Sequence, residues 1–297
     1  MTPTPTRDTP AGQSYNSLRN LARKHQRDFA EYLTLYALEG LLARLASSTQ
    51  ATDLVLKGGV LMAAFAARRP TRDIDLRASG LANDVAACEQ LIRAIATIEL
   101  GDGLHFDPSA VRGETIRDED LYPGVRVRMD ASLANARIAI HVDLSFGDPI
   151  SPAAEPIDLP RLLGGSVRLL GYPDHMVLAE KIVTAIQRGI ANTRWRDFVD
   201  VDAISSYRVI AGADLTRSLA TVAAHRQATL RPLDQVLAGM AQSAQPKWLA
   251  WRRKQRLETS TPQHFQDLIK RYVAFADPIL TGEATGLMWN PESASWT

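Results

Sequence analysis

The chain has 297 residues, of which 45 % are hydrophobic, enough for one large domain or two smaller ones with a real core. Its 34 lysines and arginines against 33 acidic residues leave a net charge near +1, so a nucleic-acid partner would be met by local basic patches. A single cysteine, Cys88, excludes an internal disulfide and a thiolate zinc cluster. No run approaches the roughly 20 apolar residues that cross a bilayer, so we expect a cytoplasmic protein with no membrane partner.

Helices and short strands alternate in the first part of the chain. We expect residues 1–14 to be a flexible tail, followed by one or two helices up to about residue 48. The run DLVLKGG predicts a buried strand and a glycine turn, VLMAAFAARR a short helix, and RDIDLRA a second strand. The next helix is expected over ANDVAACEQLIRAIATIEL, with Asn83 as its N-cap.

The stretch GVRVRMDASLANARIAIHVDLSFGDP predicts an antiparallel hairpin, because two alternating runs flank a short connector. In the second run the apolar side chains share one face and Asp143 lies on the other. The Pro- and Gly-rich segment SPAAEPIDLPRLLGGSVRLLGYP is typical of a linker, with LLGGS as a turn, and the chain beyond it is mostly helical. We therefore predict an α/β domain over 15–160 and a mainly helical domain over 161–297.

Two aspartates on the second strand predict a cation site. Residues two apart on a strand project to the same face at about 7 Å spacing, so Asp73 and Asp75 can converge on one hard cation. Mg²⁺ suits this donor set because it prefers oxygen and keeps substrate phosphates in its shell. Asp143, on another strand, is the natural third carboxylate.

The glycine pair after the first strand predicts a phosphate contact. Gly58 and Gly59 leave backbone N–H groups open to a phosphate, and Lys57 could add a positive charge. Each element also has a purely structural interpretation: an isolated D-x-D is commonly an exposed turn, and Lys57 can be a solvated side chain. Their order, strand, KGG, helix, D-x-D strand and a later in-sheet Asp, favours the functional interpretation.

A second cluster lies further along the chain. Lys181, Thr184 and Arg188 form a polar edge on one predicted helix, and Asp197 and Asp200 share a face of the next. The pattern fits both an inter-helix ion-pair network and a clamp for a triphosphate.

These motifs together resemble the AbiEii/AbiGii family of nucleotidyltransferase-fold toxins, which includes the MenT toxins. The likeness rests on LVLKGG, TRDIDL, IHVDLSFGD and AEKIVTAIQRG followed by NTRWRDFVDV, over about residues 15–210. It implies an α+β fold, a DNA polymerase beta-like mixed-sheet domain followed by a mostly helical one. It also implies a Mg²⁺-dependent enzyme that transfers a nucleotide from a nucleoside triphosphate to the 3′ end of tRNA, blocks translation and is neutralised by a cognate antitoxin.

By position, the resemblance implies that Asp73 and Asp75 bind the metal and that Asp143 completes the metal site or acts as a base. It also implies that Lys181 binds the triphosphate and that Asp200 orients Lys181 or the substrate. Thr71 and Arg72 lie where family members approach the nucleotide, beside Lys57, Gly58 and Gly59. The chain departs from the family at Val60, where a hydroxyl residue is usual, so backbone amides would have to hold the phosphate.

A basic stretch near the C-terminus predicts an RNA contact. QPKWLAWRRKQRLE interleaves tryptophans with cations, and its candidate RNA-binding residues are Lys247, Trp248, Arg252, Arg253 and Lys254. The alternative is that the tryptophans pack into a core and the cations form a solvated face. Two other functions stay open, a nucleotidyltransferase that modifies a protein or small molecule, and a non-catalytic nucleotide- or RNA-binding regulatory module.

Overall fold

The computed structural model describes residues 5–65, 68–116 and 124–297. These residues form two compact units. The first unit takes the described residues within 1–64, 68–148 and 155–171, and the second takes those within 65–67, 149–154 and 172–297. The main division therefore falls after Gly171 and not near residue 160.

The first unit combines helices with a mixed sheet. Its helices are α1 (Pro10–Lys24), α2 (Phe29–Ala46), α3 (Gly58–Leu61) and α4 (Val85–Ala96). Its strands are β1 (Leu54–Lys57), β2 (Asp73–Ala78), β3 (Leu104–Phe106), β4 (Arg112–Ile116), β5 (Gly124–Leu133), β6 (Ala136–Phe146), β7 (Glu155–Pro160) and β8 (Ser166–Gly171). The sheet order is β3-β5-β6-β2-β1-β8-β7, with β4 pairing with β5. β2 runs parallel to β6 and antiparallel to β1, which places the D-x-D strand inside the sheet.

Side-chain caps fix where the first helices begin. Thr9 accepts a hydrogen bond from the Gly12 N–H at 3.1 Å, so α1 starts at Pro10 and the predicted tail is wrong for residues 10–14. Residues 1–4 of that tail lie outside the described residues. Asp84, and not Asn83, caps α4 by accepting from the Ala87 N–H at 2.9 Å. The predicted N-cap is therefore off by one residue.

The two strand predictions around the glycine turn are confirmed, and so is the hairpin, formed by β5 and β6. The helix expected after the turn is α3 followed by a 3-10 turn at Met62–Phe65; residues 66–67 lie outside the described part. The linker interpretation of the Pro/Gly-rich segment is wrong, because β7 and β8 form an antiparallel hairpin in the sheet. Its tip is the predicted LLGGS turn, where Gly164 and Gly165 have φ of +97° and +75°.

The second unit is mostly helical, as predicted. Its helices are α5 (Asp174–Arg188), α6 (Trp195–Tyr207), α7 (Gly212–His225), α8 (Leu233–Val236), α9 (Met240–Gln255) and α10 (Phe265–Leu280). A small sheet of order β11-β10-β9 joins β9 (Ile210–Ala211), β10 (Met288–Asn290) and β11 (Ser295–Trp296). Aromatic side chains of α6 and α10 pack edge to face in its core, as Phe198 does with Phe265 and Tyr272. Across the described residues, no helix is both long and apolar enough to span a membrane.

Candidate active site

The D-x-D strand brings three predicted segments together in the first unit. Ile74 and Leu76 are buried, while the alternating Asp73 and Asp75 turn to the other face and are partly buried. Across the ladder, the Cα partners of Asp75 are Lys57 on β1 and Asp143 on β6. The KGG turn, the D-x-D motif and the late aspartate are thus neighbours in one sheet.

The two glycines make room for side chains of this cluster. Gly58 has φ of +68°, and a Cβ at this position would overlap the carboxylate of Asp75. A Cβ on Gly59 would lie 2.6 Å from Thr71 Oγ1, and the Gly59 N–H hydrogen-bonds to Asp75. Since α3 has only four residues, it supplies a weaker dipole end than the predicted longer helix. In the structure, Gly58 and Gly59 allow Asp75 and Thr71 to pack closely against the backbone of the turn.

Two aspartates of the strand have different environments. Thr71, which is buried, donates a hydrogen bond from Oγ1 to Asp73 Oδ1 at 2.7 Å. Burial, followed by the nearby charge of Asp73, raises the pKa of Asp75 to about 6; Lys57 opposes this rise and Asp143 adds to it. Arg72, predicted to bind the nucleotide, is exposed. The cluster therefore concentrates negative charge that a cation would stabilise.

Cations of the protein already bind part of the cluster. Arg126 donates from Nε and Nη2 to the two oxygens of Asp143 at 2.8 and 2.6 Å, and this pairing holds the pKa of Arg126 well above its usual range. Lys57 Nζ lies 2.6 Å from Asp148 Oδ2, which also accepts from Ser145 Oγ at 2.6 Å. Lys57 is therefore anchored beside the cluster by Asp148.

The donor chemistry fits Mg²⁺, although a three-carboxylate centre is not assembled. Among the described residues, no group of three or more His, Cys, Asp or Glu side chains is arranged to hold a metal ion. In this structure Asp143 gives both oxygens to Arg126 and Asp73 accepts from Thr71, so the predicted three-carboxylate centre stays a prediction. Mg²⁺ commonly takes one or two carboxylates and completes its shell with water and substrate phosphates. The oxygens of Asp73 and Asp75 fit that requirement.

The second predicted cluster lies in the second unit and is an ion-pair network between α5 and α6. Lys181 Nζ contacts Asp197 Oδ1 at 2.8 Å and Asp200 Oδ2 at 2.7 Å, and Arg194 Nε contacts Asp197 Oδ2 at 2.6 Å. Burial would raise the pKa of Asp197, but Lys181 and Arg194 outweigh it and lower that pKa to about 2. Lys181 is thus held in one position by two buried carboxylates.

The predicted RNA-binding residues of α9 divide into two groups. Trp248 is fully buried, donates from Nε1 to the Pro262 carbonyl at 3.1 Å and packs against Trp195 and Phe265. Arg252 is buried and donates to the Thr261 side chain and to the carbonyls of Glu258 and Thr261. Neither side chain is available to RNA, so their predicted role is corrected to core packing.

Lys247, Arg253 and Lys254 are exposed on the same helix. These three residues form a basic surface as predicted, but Trp248, which was predicted to stack on RNA bases beside them, is not part of it.

Sequence reasoning missed Arg126 and Asp148. The position of Arg126 could have been predicted from the hairpin turn. Leu133 on β5 pairs with Ala136 on β6, and counting residues outward from this pair places Arg126 opposite Asp143. Asp148 follows β6 in the quoted motif DLSFGD, yet nothing in the pattern indicated that it would reach Lys57.

Comparison with known proteins identifies the family. The family described as nucleotidyl transferase AbiEii toxin, type IV toxin-antitoxin system, matches residues 40–285, well over half of the chain. The chain belongs to this family, which confirms the predicted resemblance and the nucleotidyltransferase fold class. Membership places it among toxin nucleotidyltransferases, which as a family use a nucleoside triphosphate and a divalent metal and have an antitoxin partner.

Two solved structures from Helicobacter pylori are similar to this chain. JHP933 shares 14 % identity with a TM-score of 0.43, and the match covers 87 % of this chain and 86 % of that one. A candidate nucleotidyltransferase shares 12 % identity with a TM-score of 0.45, over 91 % and 96 % of the two chains. None of the curated proteins matches the sequence significantly.

Proposed function

We propose that the protein transfers a nucleotide from a nucleoside triphosphate to the 3′ end of tRNA, that this blocks translation, and that a cognate antitoxin neutralises it. The observation that carries the proposal is the position of Asp73 and Asp75 on β2 with Asp143 in register beside Asp75. Carboxylates collected at one point of a sheet are what a metal-assisted transfer needs, since the protein mainly positions reactants and neutralises charge. No covalent nucleophile is required.

The carboxylates have separate tasks in this proposal. Asp73 and Asp75 would hold Mg²⁺, with Thr71 fixing the orientation of Asp73 through its 2.7 Å hydrogen bond. When bound, Mg²⁺ would neutralise charge on the triphosphate during the transfer. Asp143 either adds a ligand or accepts the proton of the acceptor hydroxyl, and for both roles its oxygens must leave Arg126.

Cations of the chain supply the remaining charge. Lys57, held beside Asp75 by Asp148, is suited to bind a phosphate oxygen. In the second unit, Lys181 is oriented by Asp197 and Asp200, and we propose that it binds the triphosphate as the resemblance implies. A lysine fixed by two carboxylates loses little further conformational entropy when it binds an anion.

The exposed cations of α9 support an RNA acceptor over a drug-sized one. Lys247, Arg253 and Lys254 can contact phosphates, and an RNA backbone offers many of them. Membership of a toxin-antitoxin family supports the proposal that a cognate antitoxin neutralises the protein.

A labelling experiment tests the proposal. Purified protein is incubated with total tRNA, Mg²⁺ and each α-³²P nucleoside triphosphate in turn, beside Asp75→Asn and the matched control Asp130→Asn, whose carboxylate is exposed on β5 of the same sheet. We expect label on tRNA from the wild type and Asp130→Asn, and none from Asp75→Asn. Label on a protein or small molecule would show that this molecule, and not tRNA, is the acceptor. No label in any reaction would favour a non-catalytic nucleotide- or RNA-binding module.

A further inference from the structure

Arg126 holds Asp143 where the proposed reaction needs that carboxylate. Its Nε and Nη2 take the two oxygens at 2.8 and 2.6 Å, a bidentate geometry that uses both carboxylate atoms at once. The side chains are 34 % and 17 % exposed, so solvent reaches the pair. Because water reaches both side chains, solvation offsets part of the cost of separating them, and this allows the pair to exchange partners.

The position of Arg126 on β5 offers its guanidinium a second carboxylate. Its Cα partner on β6 is Asp143, and its Cα partner on β4 is Glu114. The charge of Glu114 already acts on Arg126, after those of Asp143 and Asp73. A guanidinium that leaves Asp143 therefore moves toward water and toward Glu114, an exposed carboxylate that also pairs with Arg128, and no unpaired charge is buried.

We propose that Arg126 is an exchangeable counter-ion of Asp143, which pairs with it in the metal-free protein and releases it when a divalent cation binds the carboxylate cluster. The inference rests on the proposed function, since it needs Asp73, Asp75 and Asp143 to serve one cation. Arg126 is then a positioning residue that sets the cation affinity of the site. It also shields Asp143 from Asp75 while the cluster lacks a cation.

The first test measures cation binding without nucleotide. Mn²⁺ is titrated by electron paramagnetic resonance into the wild type, Arg126→Gln, Arg126→Lys and Arg137→Gln. Arg137 is the matched control, because it is an exposed arginine on β6 of the same sheet, near the end of the strand away from Asp143. We expect Arg126→Gln to bind Mn²⁺ roughly three- to tenfold more tightly, Arg126→Lys to lie between, and Arg137→Gln to match the wild type.

A double-variant cycle shows whether the effect passes through Asp143. In an Asp143→Asn background, adding Arg126→Gln should leave the Mn²⁺ affinity unchanged. Thermal melting gives an independent readout: compared with wild type, Arg126→Gln should melt lower in EDTA and gain more from Mg²⁺, because the cation replaces the lost guanidinium.

Two failures are distinguishable. If Asp75→Asn abolishes Mn²⁺ binding but Arg126→Gln leaves both affinity and the Mg²⁺ gain at wild-type values, Arg126 is a fixed structural partner, this inference is overturned and the metal site stands. If Asp75→Asn also binds Mn²⁺ like the wild type, or none of the proteins binds it, the metal assignment of the proposed function fails, and the inference with it.

Discussion

Gly58 and Asp75 are packed against each other so closely that a Cβ on the glycine would overlap the Oδ2 atom of the aspartate. One residue belongs to the KGG turn and the other to the D-x-D strand, and the register that pairs Lys57 with Asp75 brings them together. The glycine motif therefore shapes the carboxylate site, whatever else it binds.

Replacing Gly58 by Ala should displace Asp75 and abolish transfer. The control is Gly80→Ala, because Gly80 has the same φ of +68° and nothing within 4 Å of its Cβ position. Both variants carry backbone strain of about 1 kcal/mol, but only Gly58→Ala pushes on the carboxylate. We expect kcat/KM to fall about 100-fold or more in Gly58→Ala alone. Equal activity of the two variants would show that Asp75 needs no fixed position.

Thr71 should act through Asp73. Thr71→Val keeps the shape of the buried side chain and removes the hydroxyl that donates to Asp73 Oδ1 at 2.7 Å. Loss of such a partner typically weakens metal affinity by about 10- to 100-fold, so the Mg²⁺ concentration at half-maximal rate should rise by that order. Thr71→Ser, which keeps the donor, should stay close to wild type. A Thr71→Val enzyme with an unchanged Mg²⁺ requirement would exclude this role.

The carboxylate strand and the hairpin could be predicted because period-two alternation and buried apolar runs are local signals. Their register also follows from the position of the hairpin turn, which would have placed Arg126 beside Asp143. The β7–β8 hairpin was missed because prolines and glycines in it resemble a linker, although Pro156 and Pro160 lie on the edge strand of the sheet.

The buried role of α9 was not predictable from composition. Trp248 and Arg252 are four residues apart on one helix face, and the sequence alone does not tell whether that face meets a core or solvent. The pattern of aromatic and basic residues is the same in both cases. What decided the outcome was the stretch around Pro262 and Phe265, where the chain turns back after α9 and packs on this face.

Variants of α9 should separate stability from RNA binding. Trp248→Ala removes a fully buried indole and should lower the free energy of unfolding by about 3–5 kcal/mol. Changing Lys247, Arg253 and Lys254 together to Gln should alter stability by no more than about 0.5 kcal/mol per site.

The same triple variant should weaken tRNA binding and lower the slope of log affinity against log salt by roughly two, which a filter-binding series in NaCl measures. Wild-type affinity and slope in the triple variant would place the RNA contact elsewhere.

Asp197 should contribute stability that depends on pH. Its pKa is about 2 in the folded protein against an ordinary value of 3.8, so its contribution of about 2 kcal/mol is complete above about pH 4 and disappears as the pH falls toward 2. Asp197→Asn should therefore be destabilised by about that amount at pH 7, and its difference from wild type should shrink between about pH 4 and pH 2. Urea unfolding at pH 7, 4 and 3 measures this, with Glu283→Gln as an exposed control. A difference that stays constant with pH would mean that Asp197 stabilises by packing and not through Lys181 and Arg194.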